Sequence, residues 1–440
     1  MTSESTTPHE AYVWVWLPGE TDPVVAGLIT QDADRLMFNY GRSYLERDNA
    51  ISLYEPELPL VQGLLEPLPG LEMASCLRDA SPDAWGRRVI LNKLFGKGGR
   101  DDQKIGELQF LINSGSDRIG ALDYQASPTE YVPRQMQSAS LEELLTVAER
   151  VEKGLPIAPE LDQAFNHGTS LGGARPKAPI EEKGVKYIAK FSSSTDTYSV
   201  VKAEFIAMRL ASLCGLSVAP VSMVKSGNKD VLLVERFDRD YTPGGWTRRL
   251  MVSALTMFEL NEMMARYASY QELADLIRHR FTTPRESLHE LFGRIVFNIL
   301  CGNTDDHARN HAAFWDGRQL TLTPAYDICP QGRTGGEASQ AMRINGPSQL
   351  SQISNCLTVA EHFQLTPSEA IAKVMHQILV IGQQWQAVCD EAELSEVDRN
   401  LFRGRQFLNP FAFEDLEGEL SEIRRLADLA REGLSGETNP

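Results

Sequence analysis

The chain has 440 residues, 42% hydrophobic and 23% charged, with a formal net charge of −17. These are ordinary globular values with room for two or three domain cores, and the acidic balance argues against a surface built to coat nucleic acid or adhere to anionic lipid. Six scattered cysteines (Cys76, Cys214, Cys301, Cys329, Cys356 and Cys389) form no CxxC pair, which leaves zinc and redox motifs without support and fits a reducing cytoplasm.

The polar start Met1–Pro8 has no basic or apolar region of a signal peptide, and no apolar stretch is long enough to span a membrane. Residues 1–10 read as a disordered tail. Tyr12–Leu17, Val24–Ile29 and Leu36–Tyr40 are short β-rich runs that predict a small antiparallel sheet. Ser81-Pro82-Asp83-Ala84 predicts a helix with Ser81 as N-cap and Pro82 in its first position, running to Phe95 and stopping at Gly96. Ile119–Tyr124 reads as a further strand, and Ala126–Gln137, with two prolines and no period, as a linker. Leu141–Val151 is an amphipathic helix opened by a Ser140/Glu143 capping box. Residues from about 155 to 240 carry strands and one helix, and those from about 250 to 433 are mainly helical.

The chemistry-bearing residues follow an order. In Ser170-Leu171-Gly172-Gly173-Ala174-Arg175-Pro176-Lys177, small residues allow a backbone to cradle phosphate oxygens, although a Gly-Gly pair alone is more often a plain loop. Lys190 closes the strand Val185–Phe191; Lys186, on the same face, reads as a solvated lysine. The helix Val200–Cys214 carries Glu204, either a partner for Lys190 or a surface acid near a helix start. The apolar run from Val231 enters the charged segment Glu235-Arg236-Phe237, either a nucleotide hinge or a buried strand with a polar exit. Then comes Asn303-Thr304-Asp305-Asp306-His307-Ala308-Arg309-Asn310, followed by a hairpin turning at Asp316-Gly317 and by Thr323-Pro324-Ala325-Tyr326-Asp327-Ile328. Acid, amide, hairpin, acid is the order of a protein kinase's catalytic half. Asp305, Asp306, His307 and His311 also allow a two-metal hydrolase. With eight histidines in the chain and no second Asp/His cluster, that reading lacks its remaining ligands, and His307 reads as support for the loop.

On these stretches the chain resembles the HipA family of serine/threonine kinase toxins of bacterial type II toxin–antitoxin modules, and Arg118–Leu122 is similar to a family N-terminal element. The resemblance implies an α+β, protein-kinase-like two-lobed fold. Residues 11–125 would form a small α/β subdomain, 126–240 the nucleotide-binding part, and 241–440 a mostly helical catalytic lobe. It implies Asp305 as catalytic base and Asn310 and Asp327 as Mg²⁺ ligands. Lys190 would contact the ATP phosphates, and Gly172, Gly173, Ala174, Arg175, Pro176 and Lys177 would line them. Glu235, Arg236 and Phe237 would form the adenine hinge, with His307 and Tyr326 completing the nucleotide site. Ser170 matches the serine that such kinases autophosphorylate to silence themselves, with Thr169 beside it as an alternative. Arg175-Pro176 departs from the Gln-Glu of the best-known member, and proline removes an N–H donor from the loop. The implied activity is ATP- and Mg²⁺-dependent protein phosphorylation in the cytoplasm, on a translation-related protein such as an aminoacyl-tRNA synthetase. The implied partner is a HipB-like helix-turn-helix antitoxin that would bind DNA; no membrane is involved. The alternatives are a metal-dependent phosphohydrolase and a non-catalytic antitoxin-binding partner in promoter repression.

Overall fold

The computed structural model describes residues 8–95, 105–134, 139–155, 175–193, 196–333 and 335–434. The chain packs into two compact units, neither contiguous in sequence. The first comprises Met1–Thr195, Val224–Val252 and Phe314–Arg318, and the second Asp196–Met223, Ser253–Ala313 and Gln319–Pro440. The expected linear boundary at 240 therefore falls inside the first unit. The chain returns there because Lys229–Glu235 pairs with Val185–Phe191 as a sheet neighbour.

In the first unit, β1 (Glu10–Val15), β2 (Val24–Asp32), β3 (Arg35–Tyr40), β4 (Leu64–Leu65) and β5 (Leu122–Gln125) form an antiparallel sheet in the order β4-β3-β2-β1-β5. A second sheet is built from β6 (Lys177–Glu182), β7 (Val185–Phe191), β8 (Val221–Ser226) and β9 (Lys229–Glu235) in the order β6-β7-β9-β8. Its apolar face, including Ala178, Ala189, Phe191, Val231 and Leu233, packs with Trp85 and Val89 and with Leu144, Val147 and Val151 of the helix Leu141–Glu152. Ser140 caps that helix as expected, its hydroxyl accepting from the Glu143 N–H while the Glu143 carboxylate accepts from the Ser140 N–H.

Two local expectations give way to longer-range partners. The helix near Ser81 spans Ala84–Phe95, and Ser81 does not cap it; its hydroxyl donates to Glu107, which Arg87 also grips at 2.6 Å. Of the expected linker, the described part up to Arg134 lacks regular structure but is firmly packed. Tyr131 lies against Trp14 and Trp16, and Arg134 donates to Ser114 O, Tyr124 O and the Asp123 carboxylate. β10 (Arg239–Thr242) and β11 (Gly245–Arg248) form a further antiparallel hairpin.

The second unit is mainly helical, with long helices Val200–Leu213, Tyr270–Arg280, Pro284–Cys301, Pro367–Glu391 and Ser421–Gly433. Pro284–Cys301 is buried over most of its length, and Gln377 of the longest helix donates to its Gly293 carbonyl. β12 (Met251–Ser253), β13 (Ala312–Trp315) and β14 (Leu320–Leu322) form a three-stranded sheet in that order. The expected Asp316-Gly317 turn joins β13 to β14: the Asp316 carboxylate accepts from Arg318 N–H, and Gly317 takes φ +98°.

Candidate active site

The site begins where a helix stops. Pro284–Cys301 ends at Gly302, whose φ of +71° is open to glycine at little cost. A Cβ there would lie 2.8 Å from the Gln406 carbonyl oxygen, so both conformation and space select glycine. Asn303 then ties back to the helix end, its N–H donating to Asn298 O and its side-chain amide to Asn298 Oδ1.

The next seven residues, to Asn310, close on themselves. His307 N–H donates to Asp305 O, Asn310 N–H to His307 O, and Asn310 Nδ2 to Asp305 O at 3.2 Å. The adjacent acids diverge. Asp305 is solvent-accessible, whereas Asp306 is 3% exposed and accepts from Tyr270 OH at 2.5 Å and from His311 Nε2 at 2.9 Å. Partial desolvation by the loop raises the Asp305 pKa; His307 opposes this, and the neighbouring charges of Asp327 and Asp306 add to it. Burial pushes Asp306 up as well, but His311 and its hydrogen bonds hold it below the ordinary range.

Asp327 reaches the same place through a braced segment. Arg294, buried in the Pro284–Cys301 helix and paired with Glu290, donates to Thr323 O and Ser217 O. Ala325 pairs with the Ser217–Ala219 backbone through Ala325 N–H to Ser217 O and Ala219 N–H to Ala325 O. Tyr326 OH donates to Arg309 O at 2.7 Å, tying the segment to the Asp305 loop. Asp327 itself sits at φ +58°, an unfavourable backbone for a side-chain-bearing residue and one that concentrates at functional sites. The second unit thus gathers Asp305, His307, Asn310 and Tyr326 in one hydrogen-bonded assembly, with Asp327 next to Tyr326 and close enough for its charge to act on Asp305. The donor set suits a hard divalent cation. Asn310 engages its NH₂ within the loop, and the Asp327 charge disfavours the neighbouring Asp305 carboxylate.

In the first unit, Lys190 is half-buried near the end of β7, opposite Lys177 of β6 and Leu232 of β9. Arg175 is half-buried, Pro176 and Lys177 buried; Pro176 O accepts from Phe191 N–H and Lys177 O from Trp85 Nε1. Thr169, Ser170, Gly172, Gly173 and Ala174 lie outside the described residues. Glu235 ends β9 and is half-buried, as is Phe237, whose ring packs edge-on to Phe314. Arg236 turns inward: its N–H donates to Lys186 O and its guanidinium holds the Asp117 and Asp238 carboxylates and Arg118 O. Its N–H and guanidinium are thus both engaged within the first unit. Lys186 is not a solvated lysine; its ammonium approaches Asp117 and Glu181 and lies over the Trp246 ring.

Sequence reading missed Tyr270 and Arg294 entirely and weighed Asp306 and His311 only as metal ligands. The two are bonded to each other, and the Asp306-x₄-His311 spacing was the one signal available for that pair.

The chain is similar to known proteins over most of its length. Residues 15–125 match the HipA N-terminal domain and residues 169–385 the HipA-like C-terminal domain. A putative kinase, Y4mE, of Sinorhizobium fredii is 25% identical over 336 residues, 71% of this chain and 76% of that protein. The serine/threonine-protein kinase toxin HipA of Shewanella oneidensis is 27% identical over 183 residues, 36% of this chain and 42% of that protein. A solved structure of the Shewanella oneidensis MR-1 toxin–antitoxin complex of HipA, HipB and operator DNA shares the fold, with a TM-score of 0.65 at 20% identity over 96% of each chain. With both of its family domains matched in order, this chain belongs to the HipA family of serine/threonine-protein kinases.

Proposed function

We propose that the chain transfers the γ-phosphoryl group of ATP, with Mg²⁺, to a serine or threonine of a protein acceptor, as the toxin of a HipA/HipB-type pair. The observation that carries this reading is the assembly of a solvent-facing Asp305, an Asn310 whose NH₂ is engaged within the loop, and an Asp327 held at φ +58°. Asp305 takes the acceptor hydroxyl's proton as that oxygen bonds to the γ-phosphorus; the bond to the bridging oxygen breaks and ADP leaves. Asn310 and Asp327 would hold Mg²⁺, which would neutralise phosphate charge. Lys190 and the segment to Lys177 are assigned to the phosphates, and Glu235 to Phe237 to adenine through backbone groups. Phosphorylation of Ser170, or of Thr169 beside it, would add about −1.5 to −2 charges near bound nucleotide and silence the enzyme.

The hydrolase reading is weaker, because Asp306 and His311 face each other in the interior rather than a metal. The partner, a HipB-like antitoxin, is proposed from the shared fold with a chain solved in complex with HipB and operator DNA. The acceptor, a translation-related protein such as an aminoacyl-tRNA synthetase, and the cytoplasmic location rest on the family resemblance. Among the described residues no helix is long and apolar enough to cross a membrane.

The test is Asp305→Gln in the full chain. Phosphoryl transfer should fall by roughly 10²–10⁴-fold with Mg-ATP binding and fold retained. Undiminished transfer by the folded variant removes Asp305 from the role of base.

A further inference from the structure

Beside the Asp305 loop, the second unit presents apolar surface that its own fold leaves uncovered. The short 3₁₀ helix Glu262–Tyr267 has no buried residue; Met263 is 80% exposed, Met264 41% and Tyr267 39%. Next to it opens a cleft of about 390 Å³ lined by Met257, Leu260, Tyr267 and Leu276, with Glu272 and Asp275 among the lining residues. Exposed apolar side chains sharing Tyr267 with a neighbouring cleft are the kind of feature that marks an interaction surface, and methionine suits surfaces that accept varied sequences.

Charge and position narrow the occupant. Glu272 in the lining, and Glu259 between the lining residues Phe258 and Leu260, have no ion-pair partner among the described residues, whereas Asp275 is paired with Arg278. Arg266 and Arg343 pack on the ring of Tyr267, which shares the lining with Glu272 and His279. A ligand carrying a large apolar side chain and an adjacent lysine or arginine satisfies both the apolar lining and the unpaired Glu272 within it. The patch is also tied to the catalytic loop twice. Glu262 pairs with Arg309, and Tyr270, which follows the 3₁₀ helix by three residues, donates to Asp306.

We infer that this surface docks the protein acceptor: an extended segment bearing one large apolar residue flanked by a basic one, seated at Met263, Tyr267 and Leu276 while the acceptor hydroxyl lies at Asp305. This rests on the kinase reading above.

The test uses an array of synthetic peptides with a central serine, scanning Leu or Phe and Lys, Arg or Glu through every flanking position, with the full chain and Mg-ATP. Peptides with an apolar residue next to a basic one should be phosphorylated preferentially. Met263→Asp should raise the KM for the best peptide about tenfold, the range for losing one anchoring apolar contact, with kcat and peptide-free ATP turnover unchanged. Glu272→Lys should shift preference from basic towards acidic flanking residues. A flat selection by an active wild-type chain overturns the docking surface alone, as does an unchanged KM in Met263→Asp. A fall in molar mass by light scattering on Met263→Asp assigns the patch to a second copy and likewise overturns it. Absence of ATP turnover and of all peptide phosphorylation in the wild-type chain overturns the kinase reading, and this proposal with it.

Discussion

Asp305 and Asp306 are neighbours with opposite environments, and that contrast organises the site. Asp305 faces solvent with a raised pKa, the state of a group poised to take a proton; Asp306 is buried, hydrogen-bonded and held ionised by His311. Asp306 thus positions the loop rather than meeting the acceptor. Because its folded pKa is depressed, its stabilisation is fully present above the ordinary aspartate value of about 4 and is lost as pH falls through the folded value. Asp306→Asn should therefore cost about 2 kcal/mol at pH 7, and the gap to wild type should narrow as pH is lowered below about 4; urea titrations across pH would show it, and a gap constant with pH would mean the ionised carboxylate is not what holds the loop. Asp327 has a separate task. Asp327→Ala should weaken binding of Mg-ATP more than binding of adenosine, because the carboxylate is assigned to the metal and not to the base. Calorimetry with both ligands decides this, and equal losses would point to misfolding instead.

Among the elements, the helix Pro284–Cys301 sets the geometry at both ends of the catalytic segment. Its end at Gly302 launches the Asp305 loop, while its Arg294 braces the Thr323 segment that delivers Asp327. Gly302→Ala places a methyl 2.8 Å from Gln406 O at a φ of +71°. That strain should destabilise the chain by about 1–2 kcal/mol and reduce turnover more than it weakens nucleotide binding, since the loop leaves the helix at a different angle. Thermal melts and kinetics on the same variant test this. Equal stability with unaltered turnover would show that the backbone there relaxes freely.

Over the whole molecule, charge is sorted by depth. The first unit buries Arg118, Arg236, Arg239 and Arg248 with Asp123 and Asp238, with the half-exposed Asp117 at the edge of the network. With the chain at −17 and these arginines inside, the surface is more acidic than the composition alone suggests. Burial raises the Asp238 pKa, but Arg236 and Arg239 outweigh it and hold the carboxyl below the usual range. Asp238→Asn leaves two buried guanidiniums short of their counter-charge and should destabilise the first unit by roughly 3–5 kcal/mol. The loss should be nearly independent of salt, because buried pairs are poorly screened. Denaturation at low and high ionic strength checks this, and a loss that vanishes in salt would place the network at the surface.

By itself the sequence determined the elements that answer to local rules. The Ser140/Glu143 capping box and the Asp316-Gly317 hairpin are each written within a few residues, where backbone geometry leaves few alternatives, and the order of Asp305, Asn310 and Asp327 is read directly along the chain. Only the tertiary structure decided which of two adjacent acids turns outward, that Arg236 and Lys186 are interior and edge ion-pair partners, that Ser81 abandons its helix for Glu107, and that Val224–Val252 returns to the first unit. Tyr270 is 36 residues from Asp306, and Arg236 is 119 from Asp117. Side chains so far apart in sequence carry no shared local pattern. Their pairing follows from desolvation, since a buried charge or hydroxyl takes whatever partner the packed chain brings within reach.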